Sequence, residues 1–451
     1  MEPVRVVWLV LGAVLLAACG GSTTDGGVAG SVANTDWALE GVSPDDRHLV
    51  VSTLFGGVAS GCTRFEGWEV TESDDVVEID ARLWQRRAPS GCTDEGVVEL
   101  LQVDLGQPLG DRQLVGCGED DCEATIADAG RLTVGQVVAE NDAVAVADGS
   151  GLDVYSATGD VVADGPRAIS GSVYTIGDDA MVINETSGSA VAVGLASGEE
   201  IWRTTGWIAA ASEEAVYVCR GQDSDGFAAV DATTGEDLWT TDTACELLVV
   251  HDDVLTIVAH DPNVDGGHRL VVVDAASGEV ISDEVLLDGY DDRVTGFEGA
   301  IAVGSNTVVT GPQANLVVLS QDGTELARQP RGLGFPLGES EGVAILGAHD
   351  RTLGYDVAEH AELWTLDGDP FSTISVVDGS VWSLDRGNGA VSRVDPRSGQ
   401  VLWTTPIGAT SSFDATTNRG TAYILTTQAL IAVDNANGEL LWSEHRPYRA
   451  G

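Results

Sequence analysis

"AVDATTGEDLW" (229–239) returns as "RVDPRSGQVLW" (393–403) and again as "AVDNANGELLW" (432–442). In each copy an aspartate stands four residues before a glycine, and a leucine and a tryptophan follow three and four residues after it. Aligning the chain on that glycine finds Gly159, Gly198, Gly235, Gly278, Gly323, Gly399 and Gly438, and an eighth copy, "GYDVAEHAELW", that carries His360 instead. The eight positions are spaced by 39, 37, 43, 45, 37, 39 and 39 residues. Short alternating apolar runs repeated at this period, with no 3.6-residue stripe, predict β-propeller blades rather than a helical array.

Each part of the repeat has a mechanical reason. The aspartates (Asp231, Asp274, Asp356, Asp395, Asp434) can accept hydrogen bonds from the turn that follows them. Gly235, Gly278, Gly399 and Gly438 supply the left-handed backbone that such a turn needs. Trp202, Trp239, Trp364, Trp403 and Trp442 then fall on the next strand, where an indole can fill the wedge between splayed blades. Copies one, four and five place Ala163, Ser282 and Ala327 at that position, so those blades are expected to pack less regularly or to leave room for something else.

The D-x-x-x-G-x-x-L-W pattern resembles the repeat of pyrroloquinoline-quinone-like (PQQ-like) β-propellers over residues ~134–447. The resemblance implies an all-β fold of eight blades, with seven as the alternative, over 131–451. It also raises a quinone cofactor. Many dehydrogenases of the family use two adjacent cysteines above the quinone and a calcium held by Glu, Asn and Asp. This chain has no Cys-Cys pair, and packing accounts for its tryptophans, so neither PQQ nor calcium is expected.

The amino terminus does not belong to the core. "MEPVRVVWLVLGAVLLAAC" has one basic residue, Arg5, an apolar run from Val6 to Leu16 and then small residues, the order of a secretory signal. Leu16-Ala17-Ala18-Cys19 resembles the lipobox of bacterial lipoproteins. That implies removal of residues 1–18, acylation of Cys19 and attachment to a membrane on the extracytoplasmic side. Residues 19–36, rich in Gly, Ser and Thr, read as a flexible tether.

Residues 37–130 alternate apolar and polar positions between Gly, Asp and Ser turns and predict a small β domain. Of the seven cysteines, six remain once Cys19 is set aside: Cys62, Cys92, Cys117, Cys122, Cys219 and Cys245. In an exported protein these predict disulfides, and nearest-neighbour pairing gives 62–92, 117–122 and 219–245. A zinc site is the competing reading, but no CxxC occurs and no histidine accompanies the cysteines at ligand spacing.

The formal net charge is −50, and all 22 basic residues are arginines. Such a surface repels nucleic acid and anionic headgroups. No nucleophile elbow or HExxH motif appears. His251, His260 and His268, with Asp252, Asp253, Asp261 and Asp265, have no metal-site spacing and read as strands around a polar loop. "QDSDG" (222–226) lacks the later ligands of a calcium loop, and Arg86 and Arg87 beside Trp84 form the one basic cluster, able to grip a carboxylate.

The expectation is a lipid-anchored, non-catalytic propeller without metal or cofactor. It would act as a binding scaffold for envelope proteins or peptides, as the likeness to propeller lipoproteins of outer-membrane protein assembly implies. A quinone- or calcium-dependent oxidoreductase with a site on the propeller axis, and a ligand sensor using 37–130, are the alternatives.

Overall fold

The computed structural model describes residues 30–56, 62–86, 96–116, 135–148, 151–166, 169–177, 179–185, 187–220, 226–242, 247–251, 254–260, 268–285, 299–311, 315–320, 324–329, 334–348, 351–367, 374–377, 379–386 and 388–446. Among these, no helix is long and apolar enough to cross a membrane.

Seven strands form an N-terminal unit: β1 (Gly30–Thr35), β2 (Ala38–Val42), β3 (His48–Gly56), β4 (Thr63–Glu72), β5 (Val76–Arg86), β6 (Gly96–Asp104) and β7 (Gln113–Val115). One sheet runs β1-β5-β4 with β7 parallel on β5, and the other runs β2-β3-β6. Alternating residues of the two sheets face each other: Leu49 and Val51 of β3, Val77, Ile79 and Ala81 of β5, and Val103 of β6 form one core. Trp37 closes it and donates its Nε1–H to the Ile79 carbonyl at 2.6 Å. Residues 30–35, expected to lie in the tether over 19–36, form a strand instead, because β1 takes the free edge of β5, Gly30 opposite Arg86 through Thr35 opposite Ala81. Small and polar residues suit that edge, and Asn34 bonds Asp80 across it.

Eight four-stranded antiparallel sheets follow. They are blades 1 (136–164), 2 (169–205), 3 (207–241), 4 (247–285), 5 (299–329), 6 (335–367), 7 (374–406) and 8 (413–445). The middle strands of each blade are buried on both faces, with successive side chains going to opposite neighbours. In blade 2, Met181, Ile183, Val191 and Val193 pack on blade 1, while Val182, Ala190 and Ala192 pack on blade 3. Such apolar clusters fill all eight gaps, including that between blade 8 (Tyr423, Leu425, Leu430) and blade 1 (Val137, Val144, Tyr155). The ring is closed. At the seam Asp414 accepts the Val137 amide at 2.8 Å, and Arg446 is buried against Asp148, Asp153 and the Tyr155 hydroxyl.

The repeated tryptophans hold one blade to the next. Nε1–H of Trp202 donates to Ala232 O at 2.8 Å, Trp239 to Ala275 O at 2.9 Å and Trp364 to Pro396 O at 2.7 Å. Trp403 donates to Asn435 O at 3.0 Å and Trp442 to Ala157 O at 2.8 Å, the last across the seam. Every acceptor lies in the final turn of the following blade, and the turn glycine there rests on the indole face. A Cβ on Gly399 would stand 2.7 Å from Trp364 Cγ, at a φ of +68°. Burying an indole contributes about 4–6 kcal/mol from roughly 150–250 Å² at ~25 cal/mol/Å².

The final ladder of every blade carries a β-bulge. In blade 3, Ala229 pairs with Trp239 but Val230 pairs with Asp237, which leaves Leu238 as the extra residue. The corresponding residues are Val162, Ile201, Ile281, Leu326, Leu363, Leu402 and Leu441. The slip turns the next side chain inward, so the tryptophan reaches the gap while its apolar neighbour points out, 40–54 % exposed.

The turn at His360 has room for a side chain. Its blade follows blade 5, where Ala327 replaces the tryptophan, so no indole occupies the space beside the turn. His360 adopts the left-handed conformation itself, at φ 55°. Gly399→Ala is therefore expected to cost at least about 2 kcal/mol, from the left-handed penalty and the indole clash. His360→Gly should stay within about 1 kcal/mol of the parent, since relief of that penalty offsets added unfolded-state freedom. Urea unfolding midpoints measure both; equal losses would separate the turn from the indole.

The turn aspartates predict acid sensitivity. The Thr234 amide and hydroxyl hold Asp231 below the usual carboxylate range, and the Ser277 hydroxyl and amide do the same for Asp274. The Glu359 amide lowers Asp356, and the Ser398 hydroxyl lowers Asp395. A depressed folded-state pKa gives stability that is complete above the unfolded value near ~4 and is lost as pH falls through the folded one. The melting temperature should therefore drop steeply below about pH 4, and Asp231→Asn with Asp395→Asn should flatten that drop.

Candidate functional site

Because strands alternate in direction, the ring has two unlike faces. One carries the repeated Asp-to-Gly turns. The other carries the connections between blades, and the N-terminal unit docks on it. β2 meets the connection between blades 7 and 8: Val42 N donates to Ala409 O at 2.6 Å, Ser411 N donates to Glu40 O at 2.8 Å, and Gly41 forms a bridge with Thr410. Glu40 is fully buried there, and its carboxylate accepts Ser52 Oγ–H at 2.6 Å from its own unit and Ser411 Oγ–H at 2.9 Å from the ring. A Cβ on Gly41 would stand 2.1 Å from Thr427 Oγ1, which leaves glycine as the residue that fits.

Beside this junction the His48 imidazole stacks on His445, centroids 3.9 Å apart and 19° from parallel. His48 Nδ1 lies 2.8 Å from Asp104 Oδ1. Burial pushes the His445 imidazole below its ordinary range, and neighbouring His48 adds to the effect. Arg446, next in sequence, is held charged: Tyr155, Asp148 and Asp153 outweigh the cost of its burial. Towards the axis on this face Trp207, the first residue of the innermost strand of blade 3, is 40 % exposed. On the opposite face a cleft of about 390 Å³ opens between blades 1 and 2, lined by Glu140, Asn141, Asp142, Asp179 and Leu195 among others.

The residues singled out in the sequence are scattered over this frame. Asp231, Asp274, Asp395 and Asp434 each accept amides of their own turns, and Gly235, Gly278, Gly399 and Gly438 take φ between 68° and 75°. Trp202, Trp364 and Trp403 are buried and Trp239 partly so. These indoles grip the following turns. Cys62 and Cys219 are each disulfide-bonded; Cys19, Cys92, Cys117, Cys122 and Cys245 lie outside the described residues. His260 and His268 face each other in the ladder of blade 4, and His251 ends its innermost strand, while Asp252, Asp253, Asp261, Asp265, Arg87 and 222–225 lie outside the described residues. Arg86 closes β5, and Trp84 on the same strand lies under the Arg64 guanidinium. Sequence reasoning passed over Glu40, His48 and His445, whose partners lie in the other unit and follow no local spacing.

Glu40→Ala removes the acceptor shared by Ser52 and Ser411 in the junction and is expected to cost about 1–3 kcal/mol. Limited proteolysis should then release the N-terminal unit sooner than the ring; an unchanged cleavage rate would show that the junction does not depend on Glu40.

No curated protein matches the chain. Among solved structures, apo AztD from Citrobacter koseri is similar at 12 % identity, covering 68 % of this chain and 95 % of that one, with a TM-score of 0.51. BamB from Moraxella catarrhalis matches at 16 % identity over 65 % of this chain and 91 % of that one, TM-score 0.46. Quinohemoprotein alcohol dehydrogenase from Comamonas testosteroni matches at 10 % identity over 72 % of this chain and 76 % of that one, TM-score 0.47. The family model described as outer membrane protein assembly factor BamB matches residues 134–365 and 387–446, which run from blade 1 to blade 8 with a gap over the start of blade 7. With its all-β ring of indole-locked PQQ-like repeats, the chain belongs to that family.

Proposed function

We propose that the protein is an extracytoplasmic binding scaffold, tethered to a membrane through acylated Cys19, that holds a protein or peptide of the cell envelope on the face it shares with the N-terminal unit. The observation that carries this reading is Trp207. A large aromatic standing exposed on a rigid ring is the kind of side chain around which interfaces concentrate their energy. The family match to an outer membrane protein assembly factor supports an envelope partner. The charge of −50 favours a partner that is neutral or basic over anionic lipid or nucleic acid. The reading involves no resident quinone: the chain has no adjacent cysteine pair, and the repeat indoles are engaged in packing.

Photo-crosslinking in intact cells tests this. A crosslinkable residue at Trp207 is expected to capture an exported protein, while one at Leu363 on the outer rim captures little. Adducts absent from both positions, or visible absorption gained by the purified protein on incubation with quinone and calcium, would defeat the scaffold reading.

A further inference from the structure

The docking of the N-terminal unit builds a side-chain cluster that neither part has alone. His48 opens β3 and Asp104 closes β6, directly opposite each other in the β3–β6 ladder. His445 ends the outermost strand of blade 8, next to Arg446, whose ties to Asp148 and Asp153 fix the chain there. The result is two stacked imidazoles with one carboxylate oxygen 2.8 Å from His48 Nδ1 and another, of Asp45, 4.0 Å from His48 Nε2. One donor atom from each of His48, Asp104 and His445 lies within 4.8 Å of the others.

Two imidazole nitrogens and a carboxylate oxygen form a donor set suited to zinc, which takes nitrogen and oxygen ligands at roughly 2.0–2.2 Å. Calcium and magnesium prefer oxygen alone. Tetrahedral zinc would set its donor atoms about 3.4 Å apart. Reaching that takes a turn of the two rings out of their 19° stack, so that their in-plane lone pairs converge, as well as a closing of the separation that Asp104, 84 % exposed, can follow. The acidic surface concentrates cations around the site. Three protein ligands leave the fourth position to water.

We propose that His48, Asp104 and His445 form a zinc site that clamps the N-terminal unit to the last blade. It is separate from the His251–His268 stretch, and it gives the interface a dependence on metal.

Calorimetric titration of the purified full chain, with its disulfides intact, tests the proposal. The expected result is one equivalent of Zn²⁺ bound and a raised unfolding temperature, with neither effect from Ca²⁺ or Mg²⁺. His48→Gln and His445→Gln should each weaken binding tenfold or more, and His268→Gln should leave it unchanged. Asp104→Asn, at an exposed position, gives the same reading if a histidine variant fails to fold. The proposal is overturned by the absence of zinc binding, by several weak equivalents indifferent to these substitutions, or by loss of binding in His268→Gln instead.

Discussion

The molecule rests on the contact between an indole and the last turn of the blade that follows it. Each such contact joins a hydrogen bond from Nε1 to close packing of a glycine on the ring face, so it fixes distance and angle together. Apolar side chains alone would fill the wedges without setting their pitch. Where the indole is missing after blade 5 the turn accepts His360, while after blades 1 and 4 the sequence keeps Gly198 and Gly323. Tryptophan and the next blade's glycine meet although 33–39 residues separate them in the chain, and 283 across the seam, where Trp442 packs on Gly159.

This coupling explains how far the fold was legible. Turn chemistry is local: an aspartate that bonds the amides two and three residues ahead, and a glycine with positive φ, leave a mark within one short window. Four copies carry both marks, three the glycine alone and one the aspartate alone, and their steady period gives the ring. β1 leaves no comparable mark, because Gly30–Thr35 becomes a strand only when β5 offers its edge. The junction was hidden for the same reason. Glu40 reads as an ordinary strand glutamate until Ser411 arrives from the far end of the chain, and His48 reads as an isolated histidine until His445 stacks on it.

The ends of the ring are joined without sharing a strand. Blade 8 takes all four strands from one continuous segment, so the seam depends on side chains: the apolar cluster, Trp442 on Ala157, Asp414 on the Val137 amide and Arg446 on two aspartates. The N-terminal unit sits near this seam and bonds blade 8 through Ser411 and Thr427. It thereby braces the sector that lacks a continuous chain. A binding face built here is composite, and its shape depends on both units staying together.

The eight slipped ladders have a consequence beyond aiming tryptophans. A ring of separate sheets exposes eight bare borders, each an invitation for a foreign strand to zip alongside. At every border the extra residue breaks the even march of amides and carbonyls that such zipping requires. A chain this rich in strands can then fold among its own copies with less risk of seeding fibrils.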